Sequence, residues 1–230
     1  GAVRNGQPVY PEYNDQFHCA SEPLKSLPGL PVCIGLDGGN TPAAVFGQRT
    51  EMGQIRTLDE VVVYAPDEET ALERLGPRAF GQMVRQLWDE RYGRCQLGAI
   101  WSDPAAFYGE SEGYSWIKAF EDGFNESRER GGARMSVKVK AAPATQGNRL
   151  TPRIECVRAG LVQNAGSQPG QLISPTCRTL RRGFNNGYVI NRIQLSNGMG
   201  RWKDEPLKND FSHVHDAKQY LDLGLTKRGD

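Results

Sequence analysis

The sequence lacks the features of a membrane protein and of a disulfide-stabilised secreted domain. No apolar run approaches the roughly 18–20 residues that a transmembrane helix needs. The five cysteines are an odd number and form no CxxC pair, which favours reduced, mostly buried thiols in a cytoplasm. A chain of 230 residues with 38% hydrophobic content can form one large domain or two small ones, and we expect no membrane partner.

Signature motifs of several enzyme classes are also absent. The sequence contains no GxxxxGK[ST] phosphate loop, no GxSxG nucleophile turn and no HExxH zinc helix. His213 and His215 invite a zinc interpretation, but residues two apart on a helix do not share a face, and no cysteine lies nearby. ATP hydrolysis by a phosphate loop is therefore not expected of this chain, and zinc is disfavoured.

The net charge of +1 conceals an uneven distribution of charge along the chain. Residues 51–125 carry 7 Lys/Arg and 14 Asp/Glu, a balance of −7, whereas residues 126–203 carry 14 and 3, a balance of +11. The basic half is either a solvated face or a phosphate-binding surface. The basic candidates for such a surface are Lys138, Lys140, Arg149, Arg153, Arg178, Arg181, Arg182, Arg192, Arg201 and Lys203.

Apolar alternation and turn residues predict the order of the secondary structure. Three early strands with short antiparallel links are followed by a helix, a fourth strand, and then alternating helices and strands. The predicted strands are 32–37, 43–48, 54–63, "QLGAIWSD", "MSVKVK" and a hairpin around Asn197-Gly198. The predicted helices are 70–92 with an interruption at Gly76-Pro77, 115–124, 151–162, "TCRTLRRGF" and a last helix with Ser212 as its N-cap.

This order predicts an α/β fold, a ribonuclease H-like mixed sheet flanked by helices with an added β-hairpin. We expect residues 1–30 to be a linker segment and residues 31–230 to form a single domain. In such a sheet the ends of the first and fourth strands are neighbours, so Asp37 and Asp103 are expected to face each other. The last helix would bring Asp216 alongside them.

Three neighbouring carboxylates need cations, because they otherwise raise each other's pKa. Mg²⁺ and Mn²⁺ prefer oxygen ligands, and two such ions about 3.5–4 Å apart can clamp a phosphodiester for hydrolysis. Asp37, Asp103 and Asp216 are therefore the candidate catalytic and metal-binding residues, and Gly38-Gly39 would leave room for a substrate backbone. The alternative is that the first two aspartates are turn residues and that Asp216 complements a helix dipole.

Four further residues are accessory candidates. Glu60 could add a fourth acid, although a solvated sheet edge is the favoured interpretation. One of His213 and His215 could touch a phosphate or orient an aspartate, and Lys208 precedes the last motif.

Several of these segments together resemble a known family. "GLDGGNTPAAVFGQ", "WSDPA", "SPTCRTLRRGFNNGYV" and "EPLKNDFSHVHDAKQYL" resemble the C-terminal nuclease domain of tailed-bacteriophage terminase large subunits, over about residues 6 to 224. The resemblance implies an endonuclease that cuts concatemeric viral DNA during packaging, with an acidic cluster for Mg²⁺ or Mn²⁺ at positions 37, 103 and 216. It also implies that "RIQLSNGMGRWKDE" is a β-hairpin that influences access of DNA to the site.

The resemblance further implies the partners and the location. Double-stranded DNA would be the substrate. The full-length subunit would carry an N-terminal packaging ATPase and would work with a small terminase subunit and a portal. The protein would act in the host cytoplasm, transiently at the procapsid portal.

Other functions remain open from the sequence. "DGGNT" resembles the phosphate-binding turn of actin-like sugar or pantothenate kinases, but Pro42 removes an amide there and the other motifs of that class are absent. A DNA-holding or motor-docking domain would share the basic stretch without needing three aspartates. A resolvase or integrase of the same fold would prefer branched DNA.

Overall fold

The structure is a computed structural model that describes residues 6–39, 41–63, 75–107, 115–126, 134–143, 148–194, 200–202 and 205–227. Its strands are β1 (Gly6–Pro8), β2 (Val32–Asp37), β3 (Ala43–Arg49), β4 (Ile55–Val62), β5 (Leu97–Ser102), β6 (Val139–Ala141), β7 (Asn164–Ala165), β8 (Gln168–Pro169), β9 (Gln171–Ile173), β10 (Val189–Gln194) and β11 (Gly200–Trp202). Its α-helices are α1 (Asp15–His18), α2 (Pro77–Tyr92), α3 (Trp116–Asn125), α4 (Leu150–Val162), α5 (Arg178–Arg182) and α6 (Ser212–Thr226). Within these ranges, no helix combines the length and apolar character needed to cross a membrane.

A six-stranded mixed sheet organises the fold, in the order β6-β5-β2-β3-β4-β9. β2, β3 and β4 form an antiparallel meander because their connections are too short for a crossover. β5 then lies parallel to β2, and β6 lies parallel to β5. The predicted α/β fold with a mixed sheet flanked by helices is confirmed.

Helices cover both faces of this sheet, which explains why "VCIGL" in β2 is apolar throughout. On one face, α2 and α3 pack against residues such as Ile34, Leu36 and Phe46. On the other face, α4 and α6 pack against Cys33 and Val45. The core therefore consists of two apolar layers separated by the sheet.

α6 lies directly against the sheet at two glycines, through its backbone at Gly35 in β2 and through the Leu221 side chain at Gly47 in β3. A Cβ atom added at Gly35 would lie 2.0 Å from the carbonyl oxygen of Ala217, and one added at Gly47 would lie 2.9 Å from Leu221 Cδ2. The first separation is too short for any side chain, because the neighbour is a backbone atom, and at Gly47 an added Cβ would also lie 2.8 Å from the Arg56 carbonyl oxygen in β4. Gly35 and Gly47 therefore set how closely the last helix approaches the sheet, and with it the position of Asp216.

Three local predictions differ from the structure. The described helix begins at Pro77 with Gly76 as N-cap, so Gly-Pro starts α2 rather than interrupting it, as proline fits a first helical turn; residues 70–74 lie outside the described residues. The strand predicted from "MSVKVK" is shorter, because the Asn125 amide binds both backbone polar groups of Val137. The N-cap of α6 is Phe211, and Ser212 instead donates its hydroxyl to the Asn209 carbonyl.

The segment before residue 31 is packed against the domain over the part that is described. β1 pairs antiparallel with β10, and Val9 and Tyr10 are buried in the core. β10 also pairs with β11, as predicted for the hairpin, whose turn at residues 195–199 lies outside the described residues. The connection of this segment to a preceding domain stays a prediction.

We predict that Gly35→Ala destabilises the protein by at least about 2–3 kcal/mol, because the new methyl group would overlap the α6 backbone. Urea denaturation followed by tryptophan fluorescence measures the change. Gly76→Ala is the matched control: no atom lies within 4 Å of its added Cβ, and its φ of −62° suits alanine. The control should cost less than about 1 kcal/mol, and equal losses for the two variants would show that α6 can move away from β2.

Candidate active site

The fold places two of the predicted aspartates at the same edge of the sheet. Leu36 and Ser102 are register partners in the parallel pair β2 and β5, so Asp37 and Asp103 follow them at the carboxyl ends of adjacent strands. The prediction that these two positions are neighbours on the sheet is confirmed at the level of the backbone.

Asp37 makes a hydrogen bond across to the last helix. The Nδ1 atom of His213 lies 2.8 Å from Asp37 Oδ2, and the Asp37 side chain is 14% exposed. Burial raises the pKa of the Asp37 carboxyl to about 6, and the nearby charge of Asp216 adds to the increase, against the hydrogen bond from His213. The same hydrogen bond raises the pKa of His213, despite its partial burial.

Asp216 is buried and held from two sides by cationic groups. Arg153 Nη2 donates to Asp216 Oδ1 at 2.5 Å, and Lys208 Nζ donates to Oδ2 at 3.0 Å. Arg153 also donates to Gln219 Oε1 at 2.9 Å and to the Tyr220 hydroxyl at 2.5 Å. Residues 216, 219 and 220 share one face of α6, so a single guanidinium binds three of them.

Asp103 is connected to this network without touching the other two aspartates in a described contact. Its Oδ1 accepts the backbone N–H of Ala105 at 2.7 Å and the Nδ2 of Asn148 at 2.6 Å. Asn148 Nδ2 also lies 3.4 Å from the Tyr220 hydroxyl, which Arg153 contacts. Asp103 therefore combines the turn role that the sequence left open with a place beside the carboxylates.

The side chains around Asp37 and Asp216 suit a hard divalent cation only in part, because cationic groups already bind both carboxylates. Two carboxylates share a poorly hydrated site, where Arg153, Lys208 and His213 now supply the positive charge. Among the described residues no three His, Cys, Asp or Glu side chains form a group that could hold a metal. Asp37 and Asp216 supply oxygen ligands of the kind that Mg²⁺ and Mn²⁺ prefer, and the assignment of Asp37, Asp103 and Asp216 as metal ligands stays a prediction.

The two glycines after Asp37 have different surroundings. A Cβ at Gly38 would lie 3.2 Å from the Trp116 ring, whereas Gly39 has nothing within 4 Å and a φ of +112°. Gly39 needs its glycine for the backbone conformation, and it leaves the open space that was expected beside Asp37.

Of the accessory candidates, Lys208 and His213 lie at the carboxylates, and the structure gives Glu60 and His215 other roles. Both Glu60 oxygens accept backbone N–H groups of Thr179 and Leu180, which caps the start of α5. His215 is fully buried and stacks on Tyr188, and burial lowers its pKa to about 3. His213 is therefore the histidine that contacts an aspartate, and His215 is not available for this role. Glu60 is neither a fourth acid of the site nor the solvated edge residue that the sequence favoured.

The basic candidates are dispersed. Lys140 and Arg149 are exposed, and Lys138 forms an ion pair with Glu121 at 2.8 Å. Arg153 was predicted as a DNA-binding surface residue, and this was wrong: it is 7% exposed and binds Asp216. Arg178, Arg181 and Arg182 lie together on α5 and line a common cavity. The Arg192 and Arg201 side chains and all of Lys203 lie outside the described residues.

Comparisons with known proteins give fold relatives only. No protein-family model and no curated protein matches the sequence. The large terminase of one thermophilic bacteriophage superposes with a TM-score of 0.65 at 15% identity, over 96% of this chain and 45% of that chain. The nuclease domain of the P22 large terminase gives 0.57 at 12%, over 94% and 91%. The large terminase nuclease of another thermophilic phage, G20c, gives 0.50 at 14%, over 95% and 97%.

The chain has the fold of a phage large-terminase nuclease domain. The resemblance drawn from the sequence motifs is thus confirmed at the level of fold. The chain spans about 45% of the first of these terminase chains but more than 90% of the P22 and G20c nuclease domains. The sequence did not mark three residues that contact Asp103 or Arg153 in this terminase-nuclease fold. They are Asn148, Gln219 and Tyr220.

We predict that Arg153→Ala destabilises the protein by about 3–5 kcal/mol, because it leaves the buried Asp216 charge without its buried partner. Urea denaturation in the presence of EDTA measures this loss without metal. Arg149→Ala, four residues earlier and exposed, is the control and should change stability by less than about 0.5 kcal/mol. Similar small effects for both would contradict the buried network.

We predict that Asp37→Asn stabilises the metal-free protein at pH 7.5 by about 1–3 kcal/mol. The folded-state pKa of about 6 lies above the ordinary 3.8, so ionising Asp37 costs stability. This cost is complete above pH 6 and disappears as the pH falls towards 4. Thermal melts in EDTA across this range measure it, with Asp89→Asn on α2, whose side chain is 47% exposed, as the control that gains nothing. A gain for Asp37→Asn that does not shrink with falling pH would contradict the assignment.

Proposed function

We propose that this chain is a divalent-metal-dependent endodeoxyribonuclease, the nuclease domain of a phage large terminase that cuts double-stranded viral DNA concatemers during genome packaging. The observation that carries the proposal is the buried pair Asp37 and Asp216, where burial and the charge of Asp216 raise the pKa of Asp37. Although Arg153, Lys208 and His213 balance the charge of this pair, carboxylate oxygens are the ligands that a hard divalent cation prefers. The likeness of the fold to terminase nucleases supports the same reaction.

Asp37 and Asp216, with Asp103 as the third ligand, would hold Mg²⁺ or Mn²⁺, and two ions are expected. When bound, the ions would supply a nucleophilic water at neutral pH and would stabilise the charge on the leaving oxygen. His213 holds Asp37 Oδ2 in place through its Nδ1 atom. Arg153 holds Asp216 Oδ1, so both carboxylates are oriented before any substrate arrives.

Lys208 and Arg153 differ in how readily they release Asp216. The Lys208 side chain is 77% exposed, and exposed ion pairs contribute only about 0–1 kcal/mol. Arg153 is buried with its partner, and separating them costs far more. Asp216 Oδ2 is therefore the oxygen that becomes free at low cost, while Oδ1 stays bound to the protein.

The basic residues would bind the DNA backbone with little sequence preference. Exposed lysine and arginine side chains such as Lys140, Arg149, Arg178 and Arg182 contact phosphates without reading bases. A cut without sequence preference suits an enzyme that acts when a head is full. The hairpin of β10 and β11 would influence access of the DNA to the carboxylates.

The partners of the proposed nuclease follow from the family. We propose that the full-length subunit carries an N-terminal packaging ATPase and works with a small terminase subunit and a portal. The chain's match to 45% of a thermophilic-bacteriophage large terminase agrees with a longer parent protein. The place of action would be the host cytoplasm, transiently at the procapsid portal.

A DNA-binding or motor-docking domain without cleavage is the second candidate. It is favoured by one observation: both oxygens of Asp216 are held by cationic side chains. In this alternative the ion pairs are permanent, and the basic surface alone provides the function.

We predict that the protein nicks and linearises supercoiled plasmid in the presence of Mn²⁺ or Mg²⁺ and that EDTA stops the reaction. Asp37→Asn and Asp216→Asn should each lower the rate by at least about 100-fold, because the metal supplies several kcal/mol of transition-state stabilisation. Agarose gels of time courses measure the rate.

Asp89→Asn removes an exposed carboxylate on α2 and should cut like the wild type. If wild type and all variants leave the plasmid intact while shifting its mobility equally, the non-cleaving alternative is correct.

A further inference from the structure

A basic cleft lies beside the candidate active site and is not part of it. The cavity has a volume of about 860 Å³ and lies between α5, the turn after it and β10. Its polar lining is made of three arginines and three asparagines: Arg178, Arg181, Arg182, Asn185, Asn186 and Asn191. Among the described residues no carboxylate lines it, so the cleft is suited to an anion.

The three arginines of this arginine cleft have different tasks. Arg181 binds both carboxylate oxygens of Asp15 in α1, at 3.0 and 2.5 Å, so its charge is neutralised. Arg182 is exposed, with its guanidinium over the Phe211 ring at 5.6 Å. Arg178 is exposed and, within the part of the chain that the structure describes, has no carboxylate partner. Arg178 and Arg182 therefore keep their charge for a ligand, and Arg181 is a structural support.

The backbone at the start of α5 does not contribute to the anion site. The N–H groups of Thr179 and Leu180 already donate to Glu60. An anion in the cleft would therefore be bound by the arginine side chains and not by the end of the helix. The positive charge of residues 178 and 182 is thus what the contact requires.

One short turn separates the arginine cleft from the carboxylates. Lys208 donates to Asp216, the Asn209 side chain holds the Gly187 carbonyl at 2.9 Å, and Phe211 lines the cleft. Two residues later, His213 contacts Asp37. A chain of phosphodiesters that crosses this turn would pass from the carboxylates directly into the cleft.

We propose that the arginine cleft binds the phosphate backbone of the duplex on one side of the cut, through Arg178 and Arg182. This inference rests on the proposed nuclease function and deepens it. The aromatic ring that lines the cleft, Phe211, is covered by Arg182 and packs against Gly187, so it is not free to stack on a base. Contact with phosphates without contact with bases is the expected mode.

The test is binding of a fluorescein-labelled DNA duplex by fluorescence anisotropy, without divalent ions and across a salt series. Arg178→Ala with Arg182→Ala should weaken binding at least about tenfold at low salt and lower the salt slope by about 2, one unit for each lost phosphate contact. Arg49→Ala with Arg94→Ala is the matched control. Both residues are exposed, at the sheet end opposite the carboxylates, and binding should not change.

The Arg181→Ala variant tests whether Arg181 stabilises the fold and does not bind the duplex. We expect it to lower the melting temperature through loss of the Asp15 pair, whereas the Arg178/Arg182 double variant should melt like the wild type. An unchanged affinity and salt slope for the double variant would overturn the proposal. A second overturning result is ADP that binds the cleft tightly, is lost in the double variant and displaces the duplex, because the occupant would then be a nucleotide.

The binding assay does not depend on cleavage. If the wild type fails to cut plasmid but the double variant still loses two units of salt slope, the cleft proposal stands and the nuclease proposal falls. If the wild type cuts plasmid and the double variant binds the duplex normally, the nuclease proposal stands and the cleft proposal falls.

Discussion

The close contact of α6 with the strands β2 and β3, made by its backbone at Gly35 and by the Leu221 side chain at Gly47, is the constraint on which the rest of the structure depends. It is possible because Gly35 and Gly47 have no side chains, so Ala217 and Leu221 reach the sheet directly. Asp216 precedes Ala217 on the helix, and Asp37 follows Gly35 by two residues on the strand. Packing of α6 against the sheet therefore completes the core and at the same time brings Asp37 and Asp216 together.

This arrangement carries an electrostatic cost that the surrounding side chains offset. Two carboxylates in a poorly hydrated place destabilise each other, and Arg153, Lys208 and His213 balance them. The two partners of Asp216 differ in burial: Arg153 is buried with it, whereas Lys208 is mostly exposed and costs less to separate from it. Of the two Asp216 oxygens, Oδ2 is therefore held by the partner whose charge solvent screens more. An electrostatic cost of this kind is common where function requires concentrated charge.

Basic residues that look alike in the sequence have different partners in the folded protein. Arg153 supports an aspartate, Arg181 fastens α1 to α5, and Lys138 pairs with Glu121. Arg178 and Arg182 remain facing an open cleft. The balance of +11 in residues 126–203 was therefore a poor guide to the number of unpaired basic side chains, because composition does not distinguish a basic residue in an ion pair from one that faces solvent.

The sequence by itself determined the antiparallel meander of β2, β3 and β4, because apolar alternation and short links leave few other arrangements, and the fold predicted from it made β2 and β5 neighbours. The places of β6 and β9 at the two edges of the sheet were decided by the tertiary structure. The sequence also determined that Asp37 and Asp103 end strands, since these residues close apolar runs. Only the tertiary structure decided the partners of the carboxylates. Asn148 lies 45 residues from its partner Asp103 and Arg153 lies 63 residues from its partner Asp216, and no local pattern records that they meet. Likewise, Glu60 and His215 look like site residues in sequence, yet one caps α5 and the other is enclosed by aromatic rings. The physical reason is that burial and hydrogen-bond pairing are properties of packing between elements, whereas periodicity reports only which face of its own element a residue occupies.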